Sequence, residues 1–178
     1  ALALGVESQG EYVDIEIEDD IEVKEFLERI NEQLPDGIKF VKGQEIDPKT
    51  PSLSSIIVYG EYIFNIDLEV PLSKEFVKSR VLNFVKSKEI IITKKNKKGK
   101  KVEVDIRPMI RNFDLVSLDD NRVTFVSTIA TGSKANLNIN ILIPQILDML
   151  NLDMDPREVG VLRRDLYKVE DGQLVTPL

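Results

Sequence analysis

"SSIIVYGEYIFNIDLEVPLSKEFVKSRVLNFVKS", residues 54–87, changes its hydrophobic period halfway along. Up to Val70 it is rich in β-branched and aromatic residues, which predicts a long strand over 54–70, bulged at Gly60. From Pro71 onward, Phe76, Val77, Val81, Phe84 and Val85 recur at helical spacing, with Ser73 placed as an N-cap and Glu75 close behind it. A strand running directly into an amphipathic helix makes this unit mixed α and β.

Toward the C-terminus, "EIIIT" and "KVEVDIRP" read as strands around a lysine-rich loop. "FDLVSL" and "RVTFVSTIA" form a second pair, joined by the turn residues Asp119-Asp120-Asn121. Pro144 suits a first helical turn, so the spacing predicts a helix from about 144 to Asn151. "VGVLRRDLYKV" (159–169) is the last predicted strand.

Toward the N-terminus, "EYVDIEIED" (11–19) alternates apolar and acidic residues and reads as a half-buried strand. Val23, Phe26, Leu27, Ile30 and Leu34 then mark a helix that starts near Asp20 and ends at Pro35-Asp36-Gly37. "IKFVKGQEI" (38–46) reads as another strand, and "DPKTPS" (47–52) as a connection. The expected fold is α+β: two ferredoxin-like α/β-sandwich units with mainly antiparallel sheets. The first, a β-α-β unit over 1–50, is incomplete at its N-terminus. The second covers 51–178 and carries a basic hairpin at 89–108.

With 42% hydrophobic and 31% charged residues the composition is that of a globular chain. No apolar run approaches the roughly 20 residues that span a bilayer. Cysteine and histidine are both absent. That excludes disulfides, thiolate nucleophiles, Ser-His-Asp and Cys-His arrangements, imidazole bases and protein-held iron–sulfur clusters. Absent cysteine is compatible with a reducing cytoplasm, the expected location. The acidic "EIEDDIEVKE" lacks EF-hand spacing, so no metal site is expected.

Charge is segregated along the chain. Residues 1–36 hold twelve Asp/Glu against two Lys/Arg, whereas 88–111 hold nine Lys/Arg against three Asp/Glu, in a protein of net charge −7. Lys94, Lys95, Lys97, Lys98, Lys100 and Lys101 crowd the tip of the expected hairpin, where Asn96 and Gly99 supply turn chemistry. Six ammonium groups there repel one another unless an anion such as RNA neutralises them and releases counterions. The alternative is a solvated hairpin kept from edge-to-edge association by its lysines.

Alternation puts Asp105 and Arg107 on one polar face, either as a surface ion pair or as a site where Arg107 and Arg111 hold phosphate. Asp105 with Arg107 is the one weak catalytic candidate. Arg163 and Arg164 could clamp phosphate while Tyr167 stacks a base, or the arginines could pair with the acidic N-terminal segment. "TGSKAN" (131–136) lacks P-loop spacing and reads as an ordinary loop.

"ALALGVESQGEYVDIEI", "RINEQLPDGI", "TKKNKKGKKVEVDIRPMI" and "VLRRDLY" resemble, in that order, motifs of the radical-SAM-associated bacterial family of unknown function (domain of unknown function 2344). The resemblance runs over nearly the whole chain, with Ala3 where proline is usual. It falls on Lys98, Gly99, Lys101, Asp105, Arg107 and Pro108, and on Arg164 and Tyr167.

The resemblance implies a segment preceding the one seen here and a radical SAM protein, often cobalamin-binding, as partner. Genome neighbours such as ribonuclease E/G and ribosomal proteins imply a role in RNA or ribosome metabolism. Iron–sulfur cluster, SAM and cobalamin would belong to that partner, with no cofactor in this chain. The expectation is a non-catalytic RNA-binding or substrate-presenting module. Its alternatives are an RNA-modifying enzyme using Asp105 with Arg107, since "VDIRP" resembles the Asp-containing strand of some pseudouridine synthases, or a protein-only scaffold.

Overall fold

Along Tyr59–Asp67 every second side chain is buried, and that alternation organises the fold. The computed structural model of the chain describes residues 2–18, 20–95 and 98–178, apart from the side chain of Lys95. In chain order the elements are β1 (Val6–Ser8), α1 (Val23–Asn31), α2 (Leu53–Ile56), β2 (Tyr59–Asp67), α3 (Lys74–Lys86), β3 (Ile91–Lys95) and β4 (Lys101–Asp105). They continue with β5 (Ile110–Leu118), β6 (Arg122–Ala130), α4 (Ile139–Leu150), β7 (Gly160–Glu170) and β8 (Gln173–Val175).

The main sheet has the order β1-β7-β2-β6-β5, with β8 added to the far end of β7. All its pairings are antiparallel except the short β1–β7 contact. The chain is therefore α+β with mostly antiparallel sheets, as the sequence predicts. One face of the main sheet carries Tyr62, Phe64 and Ile66 from β2 and Val123, Phe125 and Ile129 from β6, all buried. Against it lie Val77 and Phe84 of α3 and the apolar residues of α4 from Ile139 to Leu150. Phe84, Phe113 and Phe125 form a run of ring contacts at 5.0 Å each, which ties α3 to β5 and β6. The opposite face, with Tyr59, Glu61, Ile63 and Asn65 of β2, is covered by neither α3 nor α4.

Local rules hold in α3, where the Ser73 hydroxyl accepts the Phe76 N–H at 3.2 Å. Three expectations change. The strand predicted from residue 54 begins only at Tyr59, because Ser52–Ile57 closes into the short α2, whose Leu53 N–H is held by the Asp14 carboxylate at 2.9 Å. The irregularity expected at Gly60 falls one residue on, between Glu61 and Tyr62 in the pairing with β7. The helix predicted from Pro144 starts at Ile139 and takes the proline into its interior. Asn138 caps it by accepting the Asn140 N–H at 2.9 Å. The carbonyl that Pro144 cannot serve is that of Asn140, an exposed residue that water can solvate.

The strands predicted at 11–19 and 38–46 form no ladder among the described residues. Parallel pairing with β7 ends when the Gln9 N–H reaches the Arg163 carbonyl at 2.9 Å. Gly10 then passes so close to β7 that a Cβ there would lie 2.6 Å from the Arg164 carbonyl oxygen. Beyond it Val13, Ile15 and Ile17 are exposed. In the second segment, the Asn31 side-chain amide donates to the Phe40 carbonyl at 2.9 Å and accepts its N–H at 2.8 Å. A side chain thus takes the place of a neighbouring strand. α1, between the two segments, has no buried residue.

Candidate nucleic-acid interface

The basic stretch folds as expected into a hairpin, and its two strands form a sheet separate from the main one. The register pairs Ile92 with Val104, Thr93 with Glu103, Lys94 with Val102 and Lys95 with Lys101. Ile92 and Ile106 are buried and Val104 packs beside them, so the base of the hairpin belongs to the core. At the distal end Lys94, Lys98, Lys100 and Lys101 are exposed. Gly99 adopts φ 77°, a left-handed conformation that suits glycine at the turn. Lys97 and Asn96 lie outside the described residues.

Asp105 and Arg107 do not meet side chain to side chain as a surface pair. The Asp105 carboxylate turns back to accept the Ile90 N–H at 2.8 Å and the Arg107 N–H at 2.9 Å. The chain leaves the strand at Ile106 (φ −97°, ψ −8°) and makes a single 3₁₀ turn over Arg107–Met109. That turn sends the guanidinium inward. Its two terminal nitrogens donate to the Val85 carbonyl at 2.7 Å and the Ile110 carbonyl at 2.8 Å. Val85 lies in the last turn of α3, where carbonyls lack intrahelical partners and a cation is favoured. The Nε of Arg107 is buried and unbonded. "VDIRP" therefore clasps three elements at the root of the hairpin.

The remaining candidates lie on the main sheet. Arg163 is 2% exposed. Its Nε and one terminal nitrogen donate to the two carboxylate oxygens of Glu11 at 2.6 and 2.5 Å, and its other terminal nitrogen reaches the Tyr62 hydroxyl at 3.3 Å. Of the two uses the sequence left open for Arg163, the structure shows pairing with the acidic N-terminal segment. Arg164, one position on, is half exposed and lies 3.2 Å from Glu61.

Arg111 is exposed, stands 5.4 Å from the Tyr59 ring centre and donates to the Gly172 carbonyl at 3.3 Å. Tyr167 is half-buried directly across the ladder from Tyr59. Next to that pair, Glu61 faces Asp165. Asp165 accepts the Tyr12 hydroxyl at 2.7 Å and its neighbour Leu166 N–H at 2.8 Å. Burial, followed by the hydrogen bond to Asp165 and its charge, raises the Tyr12 phenol above its ordinary range. Burial first, then the charges of Glu61 and Asp165, raise Tyr167 as well.

Tyr12, Tyr59, Glu61 and Asp165 are absent from the sequence-derived candidates. Strand alternation would have put Tyr59 and Glu61 on the face opposite the core. The β2–β7 register that brings them to Tyr167 and Asp165 is written in neither strand alone.

Among the described residues no cluster of acids could hold a metal ion, and no helix is long and apolar enough to cross a membrane. Shallow depressions lie at the Asp67–Arg122 turn and beneath α1, and neither contains a candidate residue.

No curated protein matches the chain. Among solved structures, a chain of the "Crystal Structure of a Cbf5-Nop10-Gar1 Complex" is similar at 14% identity and a TM-score of 0.38, over 64% of this chain. This chain spans 30% of that one, and a likeness of that size bears on neither ligand nor mechanism. A family match extends over residues 1–139, so it includes the basic hairpin and its clasp but stops short of "VLRRDLY". The chain belongs to the family described as an uncharacterised protein conserved in bacteria (DUF2344).

Proposed function

We propose that the protein is a non-catalytic RNA-binding module whose hairpin β3–β4 grips the phosphate backbone. The observation that carries this is the build of the hairpin. Its root is fixed by buried Ile92 and Ile106 and by the Asp105–Arg107 clasp, while its far end presents exposed Lys94, Lys98, Lys100 and Lys101. A rigid root lets a concentrated cationic tip bind a polyanion with little ordering cost. Catalysis by Asp105 is the less favoured reading, because the carboxylate oxygen that would serve as base or nucleophile already accepts two backbone N–H groups. The resemblance on four ordered motifs supports a radical SAM protein as partner, with any cluster, SAM or cobalamin held there.

The test is RNA binding across a salt series, comparing the protein with a variant in which the six hairpin lysines are glutamine. Each phosphate contact to a single strand adds about 0.7 to the slope of log K against log salt. Six contacts would therefore give a slope near −4, and the variant should lose most of it. Equal affinity and slope in both proteins would overturn the proposal. Asp105→Asn should leave RNA affinity unchanged at temperatures where the variant is folded.

A further inference from the structure

The stretch 13–18 leaves its apolar residues in water. Val13, Ile15 and Ile17 are between 44% and 56% exposed, and Asp14, Glu16 and Glu18 among them are exposed too. Among the described residues, none from 11 to 18 makes a backbone–backbone hydrogen bond or lies in a helix. The N-terminal end of the stretch is nevertheless fixed. The Glu11 carboxylate holds Arg163, the Tyr12 hydroxyl donates to Asp165 at 2.7 Å, and the Asp14 carboxylate accepts the Leu53 N–H at 2.9 Å. Backbone groups that are held in place without backbone partners are what a sheet edge offers to an added strand.

The apolar side of this edge continues into α1. Ile17 lines the depression beneath the helix together with Ile21, Phe26 and Ile30, and no residue of α1 is buried. The 38–46 segment packs against Val23 and Leu27 instead, since a Cβ on Gly43 would lie 3.0 Å from the first side chain and 3.5 Å from the second. Charge then selects the occupant. On a strand, positions 13, 15 and 17 fall on one side and 14, 16 and 18 on the other. A second copy pairing through the same stretch would set carboxylates against carboxylates, which is unfavourable. Acids outnumber bases twelve to two across 1–36, so nucleic acid is repelled as well. A strand that alternates apolar residues with lysine or arginine matches both sides. Its apolar residues lie beside Val13, Ile15 and Ile17, and its cations beside Asp14, Glu16 and Glu18.

We propose that 13–18 is a docking edge for a partner polypeptide, which adds a strand of alternating apolar and basic residues there and seats its apolar side chains over Ile17, Phe26 and Ile30. The site is separate from the basic hairpin and does not depend on RNA binding.

The probe is a synthetic peptide as long as the stretch 11–19 that alternates lysine with valine, added to the full chain. One control peptide has glutamate in place of lysine, and the other gathers the same lysines and valines into two separate blocks. Amide chemical shifts and hydrogen exchange locate the binding. The alternating lysine peptide should shift and protect amides within 13–18, and its affinity should fall as salt rises. Both controls should bind about tenfold more weakly or worse, because three facing pairs are lost. Ile15→Pro and Glu16→Pro each remove a backbone N–H from an exposed position that makes no backbone hydrogen bond, so both variants should fold, as thermal unfolding would show. Successive N–H groups of a strand point to opposite edges, so one of the two variants should bind the peptide about fivefold more weakly. The hairpin glutamine variant should bind it as the unaltered chain does. No shift within 13–18, equal binding of the block peptide, or equal binding by both proline variants would overturn the proposal. Sedimentation of the chain alone as a dimer that either proline variant disperses would assign the edge to a second copy and overturn it too.

Discussion

Arg107→Met tests whether "VDIRP" is a clasp or a phosphate ligand. Methionine keeps the aliphatic stem and removes the guanidinium. The structure gives that guanidinium two carbonyl partners, Val85 at 2.7 Å and Ile110 at 2.8 Å, and leaves its Nε buried and unbonded. Hydrogen bonds from charged donors contribute about 1.5–3 kcal/mol each, and a buried unsatisfied donor costs about 1–3 kcal/mol. Losing both bonds while relieving the Nε therefore leaves a net destabilisation of about 2–3 kcal/mol.

For a chain of this size each kcal/mol lowers Tm by about 2–4 °C, so Tm should fall by about 4–12 °C. Thermal unfolding followed by circular dichroism at neutral pH measures it. Arg107→Lys should recover only part of the loss, because a single ammonium cannot span two carbonyls on different elements. RNA binding measured well below the lowered Tm should keep the salt slope of the unaltered protein. A variant as stable as the parent but weaker on RNA would refute the reasoning and return Arg107 to the phosphate ligands.

The other predictions concern the main sheet. Glu11→Gln should destabilise the protein by about 2 kcal/mol, below the roughly 3–5 kcal/mol of a fully buried pair because Glu11 is itself 45% exposed on its side chain. Arg163→Met combined with Glu11→Gln should recover part of that loss in urea unfolding, since the uncompensated buried charge is then gone; a double variant less stable than either single one would contradict this.

In a spectrophotometric titration, Tyr12 and Tyr167 should ionise above the ordinary phenol value. Their neutral forms stabilise the fold below the unfolded-state pKa of about 10, and that contribution is lost as pH rises through the higher folded values. Asp165→Asn should bring the Tyr12 ionisation down; no change would mean that Asp165 does not govern it.

Asp155, held by the Arg157 side chain and backbone N–H, should titrate at about 2. Its stabilising contact is complete above the ordinary carboxylate range, near pH 4, and is lost as pH falls through about 2. A chemical-shift titration of the carboxyl carbon that gave an ordinary value would refute the pairing.

Local pattern determined much of this protein. A run of β-branched and aromatic residues marked β2, the turn residues Asp119-Asp120-Asn121 marked the β5–β6 pair, and helical spacing with Ser73 ahead of it marked α3. Lysines between two alternating flanks, with Gly99 in the loop, marked the hairpin. Each of these signals lies within a dozen neighbouring residues, and the physics that produces it is equally local: side-chain direction, a missing Cβ, a hydroxyl one turn from an N–H.

What failed depended on partners distant in the chain. The segments at 11–19 and 38–46 have the alternation of strands, but a strand needs a neighbour, and the chain supplies only the edge of β7 for a few residues and the Asn31 amide for Phe40. Pro144 reads locally as a helix start, yet burial of Ile139, Leu142 and Ile143 against the sheet extends the helix past it.

The same division governs the candidate sites. The lysine cluster is visible in sequence because its members are neighbours. That Asp105 caps two N–H groups, that Arg107 ties α3 to β5, and that Arg163 is enclosed by Glu11 could be learned only once the chain had folded. Tyr59 and Tyr167 are separated by more than a hundred positions and meet only through the β2–β7 register, and register is set by burial of the opposite face.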